Sequence, residues 1–106
     1  MIFSKSYCPH SKRAKTILLE KYSILPRPYV VELDKEEHGT SIQALLAEIT
    51  GRTTVPNVLV QGHSIGGGDE IAALDRNGGL AAKIAQMEQG LPKRITQVEL
   101  NEEFED

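Results

Sequence analysis

The spacing of apolar residues along this chain predicts short strands that alternate with helices. Runs of β-forming residues predict four strands, which lie at Met1–Phe3, Tyr29–Leu33, Asn57–Val60 and from Ser64 onward. Apolar side chains three and four positions apart predict four helices. The predicted helices run from Pro9 to about Tyr22, from Thr40 or Ser41 to about Thr50, from the glycines at 66–68 to about Asn77, and from Leu80 to Met87.

The order of these elements predicts the fold class. Strand, helix and strand within the first ~35 residues are typical of a βαβ unit with a parallel strand pair. Gln61, Gly62 and His63 are predicted to form a tight hairpin turn, which makes the strands on either side of it antiparallel. We therefore predict an α/β fold with a four-stranded mixed sheet flanked by helices. The helix residues expected to be buried are Ala14, Ile17, Leu18, Tyr22, Ile42, Leu45, Leu46, Ile49, Ile71, Ala72, Leu74, Leu80, Ile84 and Met87.

Two segments are expected to lie outside this core. Ile24–Pro28 contains two prolines and is expected to end the first helix and act as a connector. The apolar pattern fades from Gln89, so we expect a domain over residues 1–88 and a C-terminal acidic tail over 89–106. Glu99–Asp106 holds five acids and no base, which is typical of a solvated, mobile tail. An acidic docking segment is the alternative.

Composition and charge narrow the function classes. The chain has 106 residues, a net charge of −3 and a pI near 5.6, so it is a single domain without the basic character of nucleic-acid-binding proteins. No apolar stretch approaches the ~18 residues of a membrane span. No signal peptide is visible, but the chain opens inside its first predicted strand. The compartment therefore stays open between a secretory-pathway lumen and the cytoplasm.

The most reactive candidate is Cys8, the only cysteine. Pro9 suits the first helical position, so Cys8 is expected to cap the helix with its sulfur facing the N–H groups of His10 and Ser11. A helix N-terminus and nearby cations both stabilise a thiolate. The charged residues before Glu20 are all basic: Lys5, Lys12, Arg13 and Lys15. The pattern favours a reactive thiolate, and a small buried hydrophobic cysteine is the alternative.

Two further loops are expected at the same sheet edge as Cys8. Val55-Pro56 precedes an antiparallel strand, and the glycines at 66–68 open a helix. If the bond before Pro56 is cis rather than the commoner trans, the Val55 backbone can pair with an extended peptide. The glycines are either a plain turn or a carboxylate-binding helix start. His10, His38 and His63 lack the spacing of a zinc site with Cys8.

Three motifs together resemble the glutaredoxin family. They are F-S-K-S-Y-C-P-H-S at residues 3–11, T-V-P-N at 54–57 and I-G-G-G-D-E at 65–70, and the resemblance covers about residues 1–88. It implies a thioredoxin-like fold with Pro56 in cis and with glutathione as co-substrate. Because Ser11 stands where dithiol members have a second cysteine, the chain resembles a C-P-x-S monothiol type, as in fungal secretory-pathway glutaredoxins.

The resemblance also implies roles for individual residues. Cys8 is the expected nucleophile, and Ser11 can hydrogen-bond its thiolate. Lys5 and Gln43 are expected to meet the glycine carboxylate of glutathione, and the Val55 backbone its cysteinyl part. The full expected glutathione-binding set is Lys5, Pro9, His10, Gln43, Thr54, Val55, Pro56, Gly67, Gly68, Asp69 and Glu70. Gly67–Glu70 are expected to hold the γ-glutamyl end, with Asp69 toward its ammonium group.

These residues lead to one main hypothesis and two alternatives. The main hypothesis is a monomeric oxidoreductase that uses glutathione to reduce glutathionylated proteins by a monothiol mechanism. The first alternative is a dimer in which two Cys8 thiolates and two glutathiones ligate a [2Fe–2S] cluster. The second is a thioredoxin-fold scaffold without chemistry.

Overall fold

A computed structural model describes residues 1–87 and 97–104 of the chain. The strands are β1 (Ile2–Ser4), β2 (Tyr22–Leu25), β3 (Val30–Glu32), β4 (Asn57–Val60), β5 (His63–Gly66) and β6 (Gln97–Leu100). The α-helices are α1 (Pro9–Thr16), α2 (Gly39–Thr50), α3 (Gly68–Arg76) and α4 (Leu80–Met87). A π-helical turn, Ile17–Lys21, follows α1, and a 3-10 turn, Leu33–Lys35, follows β3.

Four strands form one mixed sheet in the order β3-β1-β4-β5. Strand β1 is parallel to β3 and antiparallel to β4, so Phe3 lies between Val31 and Asn57. Strands β4 and β5 form a hairpin, and both residues of its turn, Gln61 and Gly62, have positive φ as such turns require. The predicted four-stranded mixed sheet and the α/β class are confirmed.

The sheet is covered on both faces because side chains alternate along β1. Ile2 enters a cluster on the face of α1, α3 and α4, whereas Phe3 packs with Leu33 and Leu46 on the face of α2. The buried members of the larger cluster are Ile2, Ile17, Leu18, Tyr22, Ile24, Val58, Ile65, Ile71, Ala72, Leu80 and Ile84. The sheet thus lies between three helices on one side and a single helix on the other.

Helix α2 differs from its prediction in how much of its apolar face is buried. Leu46 is buried and Ile42 packs beside it, but Leu45 and Ile49 are 53% and 63% exposed. The helix covers a small cluster, so only one edge of its apolar face meets the sheet. The expected burial of Leu45 and Ile49 is therefore wrong.

The start of α2 also differs from its prediction. The helix begins at Gly39, not after a Thr40 or Ser41 cap, and His38 at the cap position makes no side-chain capping bond. A Cβ at Gly39 would lie 1.9 Å from the Leu33 carbonyl oxygen. Only glycine fits against that carbonyl, so the start of α2 can lie directly beside the turn after β3. The helix ends at Gly51, with φ of 78°, as predicted.

A second, two-stranded sheet is the largest departure from the sequence prediction. The first helix was expected to continue to Tyr22, but β2 begins there and pairs antiparallel with β6. Tyr22 and Ile24 are buried while Ser23 and Leu25 face outward, the alternation of a half-buried strand. The connector prediction is wrong for Ile24 and Leu25, and the Leu25-Pro26 bond that follows is cis.

The mobile-tail prediction, made for Glu99–Asp106, is therefore wrong for Glu99 and Leu100, which belong to β6. Gln97–Leu100 is a strand, and Val98 packs against the larger core cluster. Residues 89–96 and 105–106 of the expected tail, and the expected boundary after residue 88, lie outside the described residues. Among residues 1–87 and 97–104, no helix is long and apolar enough to cross a membrane.

Substituting Ile71 and Ile49 by alanine tests which helix faces carry the core. Ile71 is fully buried in α3 and Ile49 is exposed on α2. We expect Ile71→Ala to lower the free energy of unfolding by about 2–5 kcal/mol and Ile49→Ala to change it by about 0.5 kcal/mol or less. Urea denaturation followed by far-ultraviolet circular dichroism measures both. Equal losses in the two variants would contradict the packing described here.

Candidate active site

Cys8 caps helix α1 at the end of the β1–α1 loop. Its backbone is extended, with φ of −86° and ψ of 122°, and Pro9 follows in the first helical turn. The Cys8 N–H donates to the Lys5 carbonyl over 3.1 Å, and the Lys12 N–H donates to the Cys8 carbonyl over 3.0 Å. Cys8 is partly exposed. The expected helix-cap position is confirmed, and the alternative of a buried structural cysteine is not supported.

The pKa of the Cys8 thiol is lowered from its ordinary value. The main cause is a hydrogen bond from the Ser11 backbone N–H. The Ser11 hydroxyl, the His10 N–H and the charge of Lys5 act in the same direction, and desolvation opposes them. Donors at a helix start stabilise the anion but not the neutral thiol. A larger fraction of Cys8 is therefore the nucleophilic thiolate near neutral pH.

Ser11 is oriented for this role by its own hydrogen bond. Its side chain is fully buried, and its Oγ accepts the Lys5 N–H over 3.3 Å. A hydroxyl that accepts one bond still has its proton to donate. The proton of Ser11 is thus available to the Cys8 sulfur.

The β1–α1 loop is tied to the strand and turn beside it. Asp34 accepts the Ser6 N–H over 2.9 Å and also the Ser6 hydroxyl, and these bonds lower the Asp34 pKa. Glu32 accepts the hydroxyl of buried Ser4 and forms an ion pair with Lys15 over 2.8 Å. These bonds fix the loop on both sides of Lys5. Cys8 is therefore presented by a supported loop rather than a free one.

The three predicted loops meet beside Cys8 and form what we call the central groove. Its lining residues are His10, Arg52, Thr54, Val55, Pro56, Gly67, Gly68, Asp69 and Glu70. The Val55-Pro56 bond is cis. A Cβ at Gly68 would lie 3.0 Å from the His10 carbonyl oxygen, and one at Gly67 would lie 2.8 Å from that of Pro56. Glycine at these positions lets the start of α3 approach both neighbouring loops.

Two carboxylates at the start of α3 have partners within the chain. Glu70 accepts the Gly67 N–H over 2.6 Å and pairs with Arg52 over 2.7 Å. The bond from Gly67 lowers the Glu70 pKa, and the charge of Arg52 acts in the same direction. Asp69 pairs with Arg13 over 2.6 Å. The cap of α3 is therefore closed by its own side chain, which leaves the next N–H groups, of Gly68 and Asp69, pointing outward from the helix start.

Sequence reasoning counted Arg13 among the cations that stabilise the Cys8 thiolate and assigned no role to Arg52. Arg52 lies directly before Thr53-Thr54-Val55-Pro56, and that adjacency was the available signal. The contact of Arg13 with Asp69 gave no signal, because it depends on how α1 meets α3.

The remaining predicted residues line two other grooves. Lys5 and Gln43 line a polar groove, which we call the lysine groove and whose lining also includes Tyr7, Asp34, Glu36 and Glu37. The Gln43 Nε2 donates to the Thr53 carbonyl over 2.9 Å, so α2 supports the loop before Val55. Pro9 lines a third groove between α1 and α3 and does not line the central one. The site is thus a helix start bordered by three grooves.

No cluster of three or more His, Cys, Asp or Glu side chains suited to hold a metal ion occurs among residues 1–87 and 97–104. The reactive group at the site is the partly exposed Cys8 thiol, and backbone N–H donors and the side chains of Lys5, Arg13 and Arg52 surround it and its grooves.

Comparison with known proteins gives a consistent family assignment. The family profile described as glutaredoxin matches residues 1–65. Monothiol glutaredoxin-7 of Saccharomyces cerevisiae is 48% identical over 77 residues, which are 73% of this chain and 38% of that protein. Glutaredoxin-C4 of Arabidopsis thaliana is 49% identical over 81 residues, or 76% of this chain and 58% of that protein. This chain therefore spans well under two thirds of either relative.

Solved structures show the same likeness. The crystal structure of a buckwheat glutaredoxin–glutathione complex superposes with a TM-score of 0.67 at 38% sequence identity. The superposition covers 80% of this chain and 74% of the buckwheat chain.

Replacing Ser11 by alanine tests the stabilisation of the Cys8 thiolate. The variant loses the hydroxyl donor and keeps the backbone N–H, so we expect the Cys8 pKa to rise toward its ordinary value. The rate of alkylation by iodoacetamide, measured against pH, should then show a midpoint at higher pH and a slower reaction near neutrality. Ser41→Ala, on exposed α2, is the matched control and should leave the midpoint unchanged. The same midpoint in both variants would show that the Ser11 hydroxyl does not stabilise the Cys8 thiolate.

Proposed function

The chain belongs to the glutaredoxin family, and from this premise we propose that it is a glutathione-dependent thiol–disulfide oxidoreductase. Its proposed substrates are mixed disulfides between proteins and glutathione. The observation that carries the proposal is the partly exposed Cys8 at the start of α1, with a lowered thiol pKa and three adjoining grooves. Lys5 is the single cation in the lining of one of these grooves, which also contains Asp34, Glu36 and Glu37, so its ammonium group is the proposed partner for an anionic end of a peptide.

Glutathione is a short extended peptide with a carboxylate at each end, and the proposed site offers a partner for each part. Lys5 and Gln43 in the lysine groove are proposed to bind the glycine carboxylate. No backbone hydrogen bond joins Val55 to another described residue, so its N–H and C=O are available to pair with the cysteinyl unit. Thr54, Pro56 and His10 are proposed to form the walls beside it.

The γ-glutamyl end is proposed to bind at the start of α3. Because Glu70 takes the Gly67 N–H, the N–H groups of Gly68 and Asp69 are left for the carboxylate, and the helix dipole favours its charge. The Asp69 carboxylate is proposed to bind the ammonium group, in exchange for its exposed contact with Arg13. Exposed ion pairs contribute only about 0–1 kcal/mol, so this exchange opposes binding little. The buckwheat relative was crystallised as a complex with glutathione, which supports the proposal.

The proposed reaction has two thiol–disulfide exchanges. In the first, the Cys8 thiolate attacks the glutathione sulfur of the mixed disulfide; the new bond joins Cys8 to glutathione, and the substrate thiolate leaves and takes up a proton. In the second, the thiolate of another glutathione attacks the glutathione sulfur held on Cys8. Oxidised glutathione leaves, and the Cys8 thiolate is restored. In the complete cycle one reduced glutathione is consumed, the substrate thiol is released, and oxidised glutathione is formed from the incoming glutathione and the one that the substrate carried.

A moderately lowered Cys8 pKa serves both exchanges. Cys8 attacks as a thiolate in the first and leaves as one in the second, and a low pKa raises the thiolate fraction and eases departure. The donors from Ser11 stabilise that thiolate each time it appears. Ser11 cannot form a disulfide, so the proposed activity is on glutathione mixed disulfides and not on disulfides within one protein.

Replacing Cys8 by serine tests the nucleophile. We expect deglutathionylation of a glutathionylated protein, followed in an assay coupled to glutathione reductase, to fall to the uncatalysed background. The Ser64→Ala variant changes a residue away from the thiol. It is the control for losses of activity that arise during preparation of a variant protein. Residual catalysis by the Cys8→Ser variant would overturn the assignment.

Replacing Lys5 by glutamine tests the carboxylate contact. Loss of one partly exposed ion pair should raise the KM for glutathione about two- to fivefold, in assays at a pH where Cys8 is fully ionised. Lys83→Gln, on helix α4, carries the same change of charge away from the site and should leave this KM unchanged. If both variants behave alike, Lys5 does not bind the glycine carboxylate.

An absorption spectrum distinguishes the cluster-binding alternative. Anaerobic reconstitution with iron, sulfide and glutathione would give visible absorption and a dimer on gel filtration if two Cys8 thiolates and two glutathiones held a [2Fe–2S] cluster. A colourless monomer with full deglutathionylation activity is the result expected from the proposed function.

A further inference from the structure

The third groove at the site, which we call the α1–α3 groove, begins next to the reactive cysteine. Pro9 lies at one end of its lining, directly after Cys8 in the chain. Its other lining residues come from α1, the π-helical turn, α3 and the C-terminal segment: Lys12, Arg13, Thr16, Ile17, Lys21, Ala72, Asp75, Arg76 and Phe104. The groove thus joins the active site to a surface that the proposed glutathione contacts do not use.

The α1–α3 groove has an excess of positive charge. Arg13 is paired with Asp69, and Lys21 with Asp75 over 3.0 Å. Lys12 and Arg76 are exposed and form no ion pair with any residue in the described ranges. Two cationic side chains therefore remain for an anionic partner, beside the apolar surface of Ile17 and Ala72.

A short acidic segment of the chain itself already lies at this groove. After β6, the Asn101 N–H donates to the Lys21 carbonyl over 2.8 Å and the Asn101 Nδ2 to the Glu20 carbonyl over 3.3 Å. These bonds hold the segment against the end of the π-helical turn. Phe104 follows, half-buried, in the lining of the groove, and Glu102 and Glu103 precede it with exposed side chains. An aromatic residue next to acids is thus seated where cations and apolar surface meet.

We propose that the α1–α3 groove binds the polypeptide part of a glutathionylated substrate and favours an aromatic residue flanked by acidic ones. In the unbound protein the chain's own Asn101–Phe104 segment occupies the same groove and competes with the substrate. This inference rests on the proposed function, because it assigns the protein half of the mixed disulfide whose glutathione half lies in the other two grooves.

The separation of this groove from the proposed glutathione contacts supports the assignment. Glutathione, as proposed, spans the lysine groove and the central groove. The substrate polypeptide is joined to the same disulfide and has to leave the site by another route. The α1–α3 groove starts at Pro9 and does not overlap the glutathione contacts except at the Arg13–Asp69 ion pair, which separates it from the central groove. It is therefore the adjoining surface left for the polypeptide.

Three glutathionylated peptides test the preference. One carries Glu-Glu-Phe-Glu-Asp after the modified cysteine, the second has lysine in place of each acid, and the third has alanine in place of phenylalanine. The mixed disulfide of glutathione and 2-mercaptoethanol serves as a substrate without a polypeptide. We expect the lowest KM for the acidic aromatic peptide. In the Arg76→Gln variant, the ratio of the KM for the lysine peptide to the KM for the acidic aromatic peptide should fall by about half or more.

Self-competition is tested with Phe104→Ala in the full chain. A segment that occupies its own binding site most of the time raises the apparent KM in inverse proportion to the fraction of molecules whose site is free. We expect the variant to lower the KM for the acidic aromatic peptide about threefold or more and to leave turnover of the 2-mercaptoethanol disulfide unchanged. Tyr29→Ala, which removes an exposed aromatic residue from a different groove, is the matched control and should change neither.

The outcomes separate this inference from the function on which it rests. If the wild-type protein turns over no substrate, including the 2-mercaptoethanol disulfide, the proposed function fails. If it turns over that disulfide and treats all three peptides alike, the function stands and the docking surface is overturned. If Phe104→Ala raises the KM of the acidic aromatic peptide, the segment assists the substrate and does not compete with it, and the proposed competition is overturned.

Discussion

The hydrogen bonds from the first N–H groups of α1 to the Cys8 sulfur are the interaction on which the rest of the site depends. They require that the helix begin directly after the cysteine, and Pro9 fixes that start because it needs no donor of its own. They also require that the loop before the cysteine be held in place. Asp34 and Glu32 do this through Ser6 and Ser4. The sheet therefore contributes to the chemistry by fixing where one helix starts.

A second helix start lies against the first, and the two are used differently. Gly68 allows α3 to approach the His10 backbone closely, which places two positive helix ends side by side. The end of α1 faces a thiol that becomes an anion during the proposed reaction. The end of α3 is partly neutralised by Glu70, a carboxylate of the same helix, through its bond to Gly67. The N–H groups at the start of α1 are thus available to a reacting sulfur, whereas the first N–H at the start of α3, that of Gly67, is already bonded to Glu70.

The features of this arrangement that depend on neighbouring residues could be predicted from the sequence. The features that depend on contacts between distant segments could not be predicted. The helix cap at Cys8 follows from adjacent residues and was predicted correctly. Strand β2 was taken for a helix end and a connector because Pro26 and Pro28 follow it, and its partner β6 is 72 residues away at the Leu25–Gln97 pair. Nothing near either segment indicates that pairing. Leu45 and Ile49 have helical spacing, but their exposure depends on how narrow the underlying cluster is.

The presence of a single cysteine has a thermodynamic consequence for the proposed cycle. A dithiol site closes an internal disulfide by reducing one oxidised glutathione to two molecules of reduced glutathione, so its oxidised fraction depends on the ratio of oxidised glutathione to the square of the reduced form. Cys8 has no thiol partner in the chain, and its exchange with oxidised glutathione consumes one molecule and releases one. Its oxidised fraction therefore follows the simple ratio of the two forms and does not change when the total glutathione pool is diluted or concentrated.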